Sequence, residues 1–213
     1  MLFEAFLRIG DRGKGAQFRR GLADLFGPRS GAVCLSVAAE DGTLGDVGAA
    51  FPASSAVFDA IVSFESEHAR SKALDRPELQ KGVGVKLASV SSLVQKAGPP
   101  ASPGLRDGAA MVAFLVPDPA LSDEAFQQRW RDHTRVLFEV QRGPSEYIQN
   151  LFVSSSAEMS PYRGYARLRY PAIETLAGDM APAYEGADKD GVEDVARFAI
   201  GAEAVMMREY IYV

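Results

Sequence analysis

The sequence predicts an α+β fold in which two tandem ferredoxin-like βαββαβ units pack their antiparallel sheets into an α+β barrel. Three observations support this prediction: a segment rich in proline and glycine near mid-chain, a weak internal repeat across it, and the same order of strand and helix patterns on either side. The 213 residues are 47% hydrophobic and 24% charged, a composition typical of globular proteins.

The mid-chain segment, residues 98–104, reads GPPASPG. This density of proline and glycine excludes a helix or a central strand, so we interpret it as a stiff, extended linker. The chain then divides into a degenerate repeat over residues 1–97, a linker over 98–107 and a better-preserved repeat over 108–213.

Several apolar positions recur at an offset of 108 residues, which indicates an internal duplication. Phe6-Leu7 corresponds to Phe114-Leu115, each near the end of an alternating apolar run. Residues 58–61 correspond to residues 162–165 when a small gap is allowed in the alignment of the two halves. On the first helix of each half, the +4, +3 spacing places three corresponding residues on one stripe. These residues are Phe18, Leu22 and Leu25 in the first half, and Phe126, Trp130 and His133 in the second.

In the first half, alternating apolar residues predict strands and the helical spacing predicts two helices. The predicted strands are 2–9, 32–39, 57–64 and 83–93, and the predicted helices are 16–26 and 65–74.

The second half repeats the order, with predicted strands over 109–116, 146–154, 162–170 and 204–213. Its first helix begins after Ser122, a favourable N-cap followed by two acidic residues, and Gly143-Pro144 stops it. The predicted apolar stripe of this helix is Phe126, Trp130, His133, Leu137 and Val140. Pro171 opens a second helix of about a dozen residues.

Composition excludes several functions. The net charge is −5 and there is no basic block, so we expect no nucleic-acid partner. There is no run of about 18 apolar residues, and the N-terminus reads as a strand, so we expect no membrane association and a cytoplasmic location. With Cys34 as the single cysteine and two histidines, we expect neither a disulfide nor a metal site. The expected partner is a small-molecule ligand, with a homodimer possible and no cofactor.

His133 is the most informative residue, because its place on the apolar stripe directs it toward the sheet. One interpretation is a core histidine bonded to a backbone carbonyl; the other is a half-buried catalytic acid/base. Its counterpart in the first half is Leu25, so the fold does not require histidine at this position. This difference favours the catalytic interpretation.

A second candidate group follows on the next strand. Alternation places Tyr147 and Gln149 on one face, and Ile148 and Asn150 on the other. Tyr147 and Gln149 either bond to each other or contact a ligand. Trp130 is either ordinary core or an aromatic wall beside His133. We predict Trp130, Tyr147, Gln149 and Asn150 as substrate-binding residues.

The second half resembles the EthD family of dimeric α+β barrel proteins. The resemblance rests on Phe126-x3-Trp130-x2-His133, Tyr147-x-Gln149-Asn150, Tyr162-Arg163-Gly164-Tyr165-Ala166, and the tail segments 194–198 and 208–211. It implies barrel-type pairing of sheets and a role near small organic molecules, usually without a cofactor, with His133 as the acid/base. The chain departs from the family at Arg135, commonly proline, and at Arg163, commonly aspartate.

Two functional hypotheses follow. In the first, the chain is a cofactor-independent enzyme that dehydrates or decarboxylates a small aromatic or carbonyl compound through His133. In the second, it is a noncatalytic small-molecule-binding or accessory protein. A third and weaker hypothesis has His133 as an axial haem ligand, although bulky Trp130 beside it restricts the space.

Overall fold

The computed structural model describes residues 1–40, 53, 56–140, 143–179 and 185–212. Its strands are β1 (Leu2–Ile9), β2 (Ala32–Ala38), β3 (Ala60–Phe64), β4 (Val83–Lys96), β5 (Gly104–Leu105), β6 (Ala109–Pro117), β7 (Glu146–Ser155), β8 (Gly164–Tyr170) and β9 (Ala199–Ile211). Its helices are α1 (Gly15–Leu25), α2 (Glu67–Leu74), α3 (Pro77–Gln80), α4 (Asp123–Val140), α5 (Ile173–Asp179) and α6 (Ala187–Val195). None of the described helices is long and apolar enough to cross a membrane.

The strands form one antiparallel sheet in the order β2-β3-β1-β4-β7-β8-β6-β9-β5, and an additional pairing of β2 with β9 closes it into an eight-stranded barrel. Each half has the same strand order, β4-β1-β3-β2 in the first and β9-β6-β8-β7 in the second. The halves join symmetrically, through β4 with β7 and through β2 with β9. The predicted α+β barrel is therefore confirmed, whereas the origin of the two halves by duplication stays a prediction.

The barrel interior holds a cluster of aromatic side chains. The rings of Phe6 and Phe114, which occupy corresponding positions of the two halves, lie 5.9 Å apart between centroids. Phe58 and Tyr165 pack against the same Phe114 ring at 5.2 Å and 5.4 Å. The helices lie outside, so each half has a second apolar layer between its sheet and its helices.

Helix α4 begins as the sequence predicts. The backbone N–H of Ala125 donates to the Ser122 hydroxyl at 3.2 Å, which satisfies one of the free donors of the first turn. Helix α4 buries four of the five residues of the predicted stripe, Phe126, Trp130, His133 and Leu137, and the fifth, Val140, is half-buried. The helix therefore presents its aromatic and histidine side chains to the sheet.

Several predicted elements differ from the structure in extent. The third strand begins at Ala60 rather than at residue 57, and the last strand begins at Ala199 rather than at residue 204. The helix expected after Pro171 is seven residues long, and α6 follows beyond residues 180–184, which lie outside the described part of the chain. The last strand begins earlier than predicted because it pairs with β6 as far as Pro117, which lies opposite Ala199.

Two residues of the linker belong to the sheet. Residues 104–105 form β5, which pairs with the end of β9, and the Arg106 backbone N–H donates to the carbonyl oxygen of Glu209 at 2.8 Å. The extended conformation predicted for this segment thus lets it contribute an edge strand to the sheet.

Candidate functional site

A largely apolar cavity of about 400 Å³ lies between the sheet of the second half and its helices α4 and α6. The strands carry small side chains beneath the helices, which leave room for the cavity. These residues are Ala113, Ala166 and Ala202. In the first half, the equivalent layer is occupied by buried Leu22 and Phe26, which pack against the sheet. The other residues around the cavity are Met111, Leu115, Trp130, His133, Leu137, Val140, Tyr147, Leu168, Ala187, Gly191, Val192, Val195 and Phe198.

His133 lines this cavity and is held in place by Asp194 from the end of α6. The Nδ1 atom of His133 lies 2.7 Å from Oδ2 of Asp194, and both side chains are largely buried. The ring of Phe198 packs against the imidazole with the centroids 5.3 Å apart. Arg197 donates to the other oxygen of Asp194 at 3.1 Å. The imidazole is therefore fixed on two sides.

The contact with Asp194 determines the tautomer of neutral His133. An ionised carboxylate only accepts hydrogen bonds, so Nδ1 carries the proton and donates it to Asp194. The lone pair then resides on Nε2. A histidine in this arrangement can accept a proton at Nε2, and the adjacent carboxylate stabilises the imidazolium that forms.

Trp130, Tyr147 and Gln149 form a hydrogen-bonded group beside His133. The indole N–H of Trp130 donates to the Tyr147 hydroxyl at 3.2 Å, and Nε2 of Gln149 donates to the same hydroxyl at 3.1 Å. Gln149 also donates to the carbonyl oxygen of Trp130 at 2.7 Å. Burial raises the pKa of Tyr147 to about 12, so its hydroxyl stays protonated at neutral pH.

The structure brings together three of the five predicted site residues at the cavity wall: His133, Trp130 and Tyr147. Gln149 is buried behind Tyr147 and is not part of the cavity wall. Asn150 lies on the opposite face of β7, where the Ser92 hydroxyl donates to its side-chain oxygen at 2.7 Å. The strand alternation separates Asn150 from Tyr147, although the two are close in sequence.

Sequence reasoning did not select Asp194 or Phe198 as site residues. Both lie in the 194–198 segment of the EthD resemblance, which was the one signal that marked them. Asp194 is 61 residues from His133, and only the packing of α6 against α4 brings their side chains together.

A second, more polar cleft lies on the solvent side of His133. His133 and Asp194 line it together with three arginines, Arg129, Arg135 and Arg197. His133 therefore separates the apolar cavity from a solvent-exposed cleft. Asp194 lies on the cleft side of His133.

The residues around the cavity do not suit haem. A haem carries two propionate carboxylates, and the described wall contains no lysine or arginine to pair with them. The described residues also contain no cluster of three or more histidine, cysteine, aspartate or glutamate side chains that could bind a metal ion.

The fold defines an α+β barrel protein in which one chain supplies both halves of the barrel. No family model and no curated protein matches the sequence, so the EthD resemblance stays a prediction.

Similar solved structures show the fold. The chain is similar to an anthrone oxidase-like protein, with a TM-score of 0.62 and 11% identity over 99% of this chain and 92% of that one. It is also similar to a protein assigned as a monooxygenase from Fusobacterium nucleatum, with a TM-score of 0.57 and 9% identity over 98% and 92% of the two chains. A protein from Lactobacillus acidophilus with the same assignment gives a TM-score of 0.54 and 10% identity over 99% and 96%.

Proposed function

We propose that the chain is a cofactor-independent enzyme that acts on a small aromatic or carbonyl compound by acid/base catalysis at His133. The observation that carries this proposal is the arrangement of His133, which lines an apolar cavity while Asp194 holds its Nδ1 at 2.7 Å. A histidine that only filled the core would also need an acceptor for its N–H, but it would not line an empty volume. The names of two similar structures, a monooxygenase and an anthrone oxidase-like protein, describe oxidations, so they support an enzyme in general but not acid/base chemistry in particular.

Dehydration fits the cavity better than decarboxylation does. A substrate carboxylate would lie among apolar side chains, because the described wall contains no cation to pair with it, and an unpaired buried charge is costly. In a dehydration, Nε2 of His133 takes a proton from the carbon next to a carbonyl group. The C–O bond at the β carbon then breaks, and the imidazolium returns the proton to the departing hydroxide, which leaves as water.

The test uses 3-hydroxy-1-tetralone, a bicyclic β-hydroxy ketone that loses water to give a dienone, which tautomerises to 1-naphthol. Formation of 1-naphthol is followed by its fluorescence, with wild type and His133→Asn compared. General acid/base catalysis contributes about 100-fold or more, so His133→Asn should lose at least that factor. The matched control is His68→Asn, which changes the other histidine, exposed on α2.

Ligand binding is measured separately through Trp130, the single tryptophan, which lies in the cavity wall. 1-Naphthol should quench its fluorescence equally in wild type and His133→Asn. Equal dehydration rates in these two proteins would overturn the catalytic role of His133. Quenching without any acceleration by wild type would favour the noncatalytic binding protein.

A further inference from the structure

We infer that Tyr147 is a dedicated hydrogen-bond donor to a carbonyl oxygen of the substrate, and that the substrate is an uncharged ketone-like compound with an acidic C–H bond next to that carbonyl. This inference rests on the proposed function, because it assigns the group that stabilises the enolate formed when His133 takes the proton.

The hydrogen bonds around Tyr147 occupy both of its acceptor positions. A phenolic oxygen has two lone pairs and one proton. Trp130 donates to this oxygen from the indole N–H, and Gln149 donates from its amide nitrogen, at 3.2 Å and 3.1 Å. Within the described residues, no acceptor takes the Tyr147 proton. Tyr147 lines the cavity, so a ligand bound there can accept that proton.

The orientation of the Gln149 amide is fixed independently. Its nitrogen donates to the backbone carbonyl of Trp130 at 2.7 Å, and its oxygen accepts from Nε2 of Gln95 at 2.8 Å. If the amide were reversed, its oxygen would face the carbonyl oxygen of Trp130 at 2.7 Å with no hydrogen between them. Gln149 therefore presents a donor, not an acceptor, to Tyr147 and acts as a positioning residue.

Two donors on one hydroxyl oxygen polarise its O–H bond and make it a stronger donor. The high pKa of Tyr147 keeps this proton in place, so the group supplies a hydrogen bond and does not act as a base. In the chemical step, the C–H bond breaks and its proton moves to Nε2 of His133. The electron pair forms a C=C bond, and the negative charge that develops on the carbonyl oxygen is stabilised by Tyr147.

The apolar wall sets the charge of the ligand. Among the described residues around the cavity, His133 and Tyr147 are the two with ionisable side chains. The Nδ1 atom of His133 is already bonded to Asp194. An anionic ligand would have no cation beside it, whereas a neutral ketone needs only the single donor that Tyr147 provides.

The experiment uses 1-tetralone, which has a carbonyl group and exchangeable α hydrogens but no leaving group. Infrared spectroscopy of carbonyl-¹³C 1-tetralone bound to wild type should show its stretching frequency shifted down from that in an apolar solvent. Tyr147→Phe should remove this shift and slow exchange of the α hydrogens in D₂O by about 100-fold. The control Tyr162→Phe, in the barrel interior, should change neither quantity.

The outcomes separate this inference from the proposed function. An unshifted carbonyl band in wild type overturns the role of Tyr147, even if α exchange still depends on His133. A shifted band without His133-dependent exchange supports Tyr147 as the donor and overturns acid/base catalysis. Failure of 1-tetralone to bind, or binding of 2-naphthoate as tight as that of 1-tetralone, overturns the uncharged ketone as ligand. The wild-type spectrum decides the role of Tyr147 even if Tyr147→Phe fails to fold.

Discussion

Tyr165 and Glu4 belong to different halves of the chain, and the Tyr165 hydroxyl donates to Oε1 of Glu4 at 2.7 Å inside the barrel. The Ser63 hydroxyl donates to the same oxygen at 3.1 Å, while Oε2 is buried without a hydrogen-bond partner in the described structure. Burial raises the pKa of Glu4 to about 7, because the hydrogen bonds and the charge of Arg167 offset only part of the desolvation.

This raised pKa predicts that the protein loses stability as the pH rises. The stabilising contribution of protonated Glu4 is complete below its unfolded pKa of about 4.5 and is lost as the pH rises through its folded pKa of about 7. Between about pH 5 and about pH 8, Glu4 should lower the free energy of unfolding by roughly 2 to 3 kcal/mol. Glu4→Gln should lack this change. Urea unfolding of wild type and Glu4→Gln across this pH range measures the difference. If the free energy of unfolding changed equally with pH in the two proteins, the prediction would be wrong.

Glu209 lies at the centre of a buried charge network with three arginines. Its carboxylate lies 3.3 Å from Arg167, 3.4 Å from Arg169 and 3.5 Å from Arg106, and its side chain is fully buried. Removing the negative charge leaves these arginines with less counter-charge, and breaking such buried pairs costs about 3 to 5 kcal/mol.

We therefore expect Glu209→Gln to lower the free energy of unfolding by that amount, measured by urea denaturation. The control Glu193→Gln breaks an exposed pair with Lys189 on α6 and should change stability by less than about 0.5 kcal/mol. Similar effects of the two substitutions would show that the buried network does not support the barrel.

The sequence predicts the fold well because its signals are local. Side-chain alternation and helical spacing depend on neighbouring residues, so β1, α1 and the apolar stripe of α4 lie where they are predicted. The side chain of His133 faces the sheet for the same reason. Its partner Asp194 could not be found this way, because the packing of α6 depends on contacts between distant segments and no periodicity encodes them.

The candidate site also shows that proximity in sequence is a poor measure of proximity in space. Gln149 and Asn150 are adjacent in sequence, yet Gln149 donates a hydrogen bond to Tyr147 on the helix side of the sheet. Asn150 faces the barrel interior and accepts from Ser92. The alternation of β7 predicts this separation, whereas grouping the two residues by their common motif obscures it.

Gly164 is required by the close packing of β8 against β7 and α4. A Cβ atom at this position would lie 2.3 Å from the carbonyl oxygen of Asn150 and 3.2 Å from the Trp130 ring. Gly164→Ala should therefore destabilise the protein by about 1 to 3 kcal/mol and shift the fluorescence of Trp130. The control Gly21→Ala, on the exposed face of α1 with no atom within 4 Å, should stabilise it by about 0.5 to 1 kcal/mol. Thermal unfolding measures the change in stability of both variants. If Gly164→Ala were as stable as wild type, Gly164 would not be required by the packing.

Asp194 should support catalysis without contacting the substrate, because it lies on the cleft side of His133. Asp194→Asn keeps the shape of the side chain but removes the charge that stabilises the imidazolium, so dehydration of 3-hydroxy-1-tetralone should slow by about 100-fold or more. Binding of 1-naphthol should be unchanged. The control is Asp132→Asn, since Asp132 lines the same cleft but accepts from Gln128. If Asp132→Asn slowed the reaction equally, the effect would come from the charge of the cleft and not from the contact with His133.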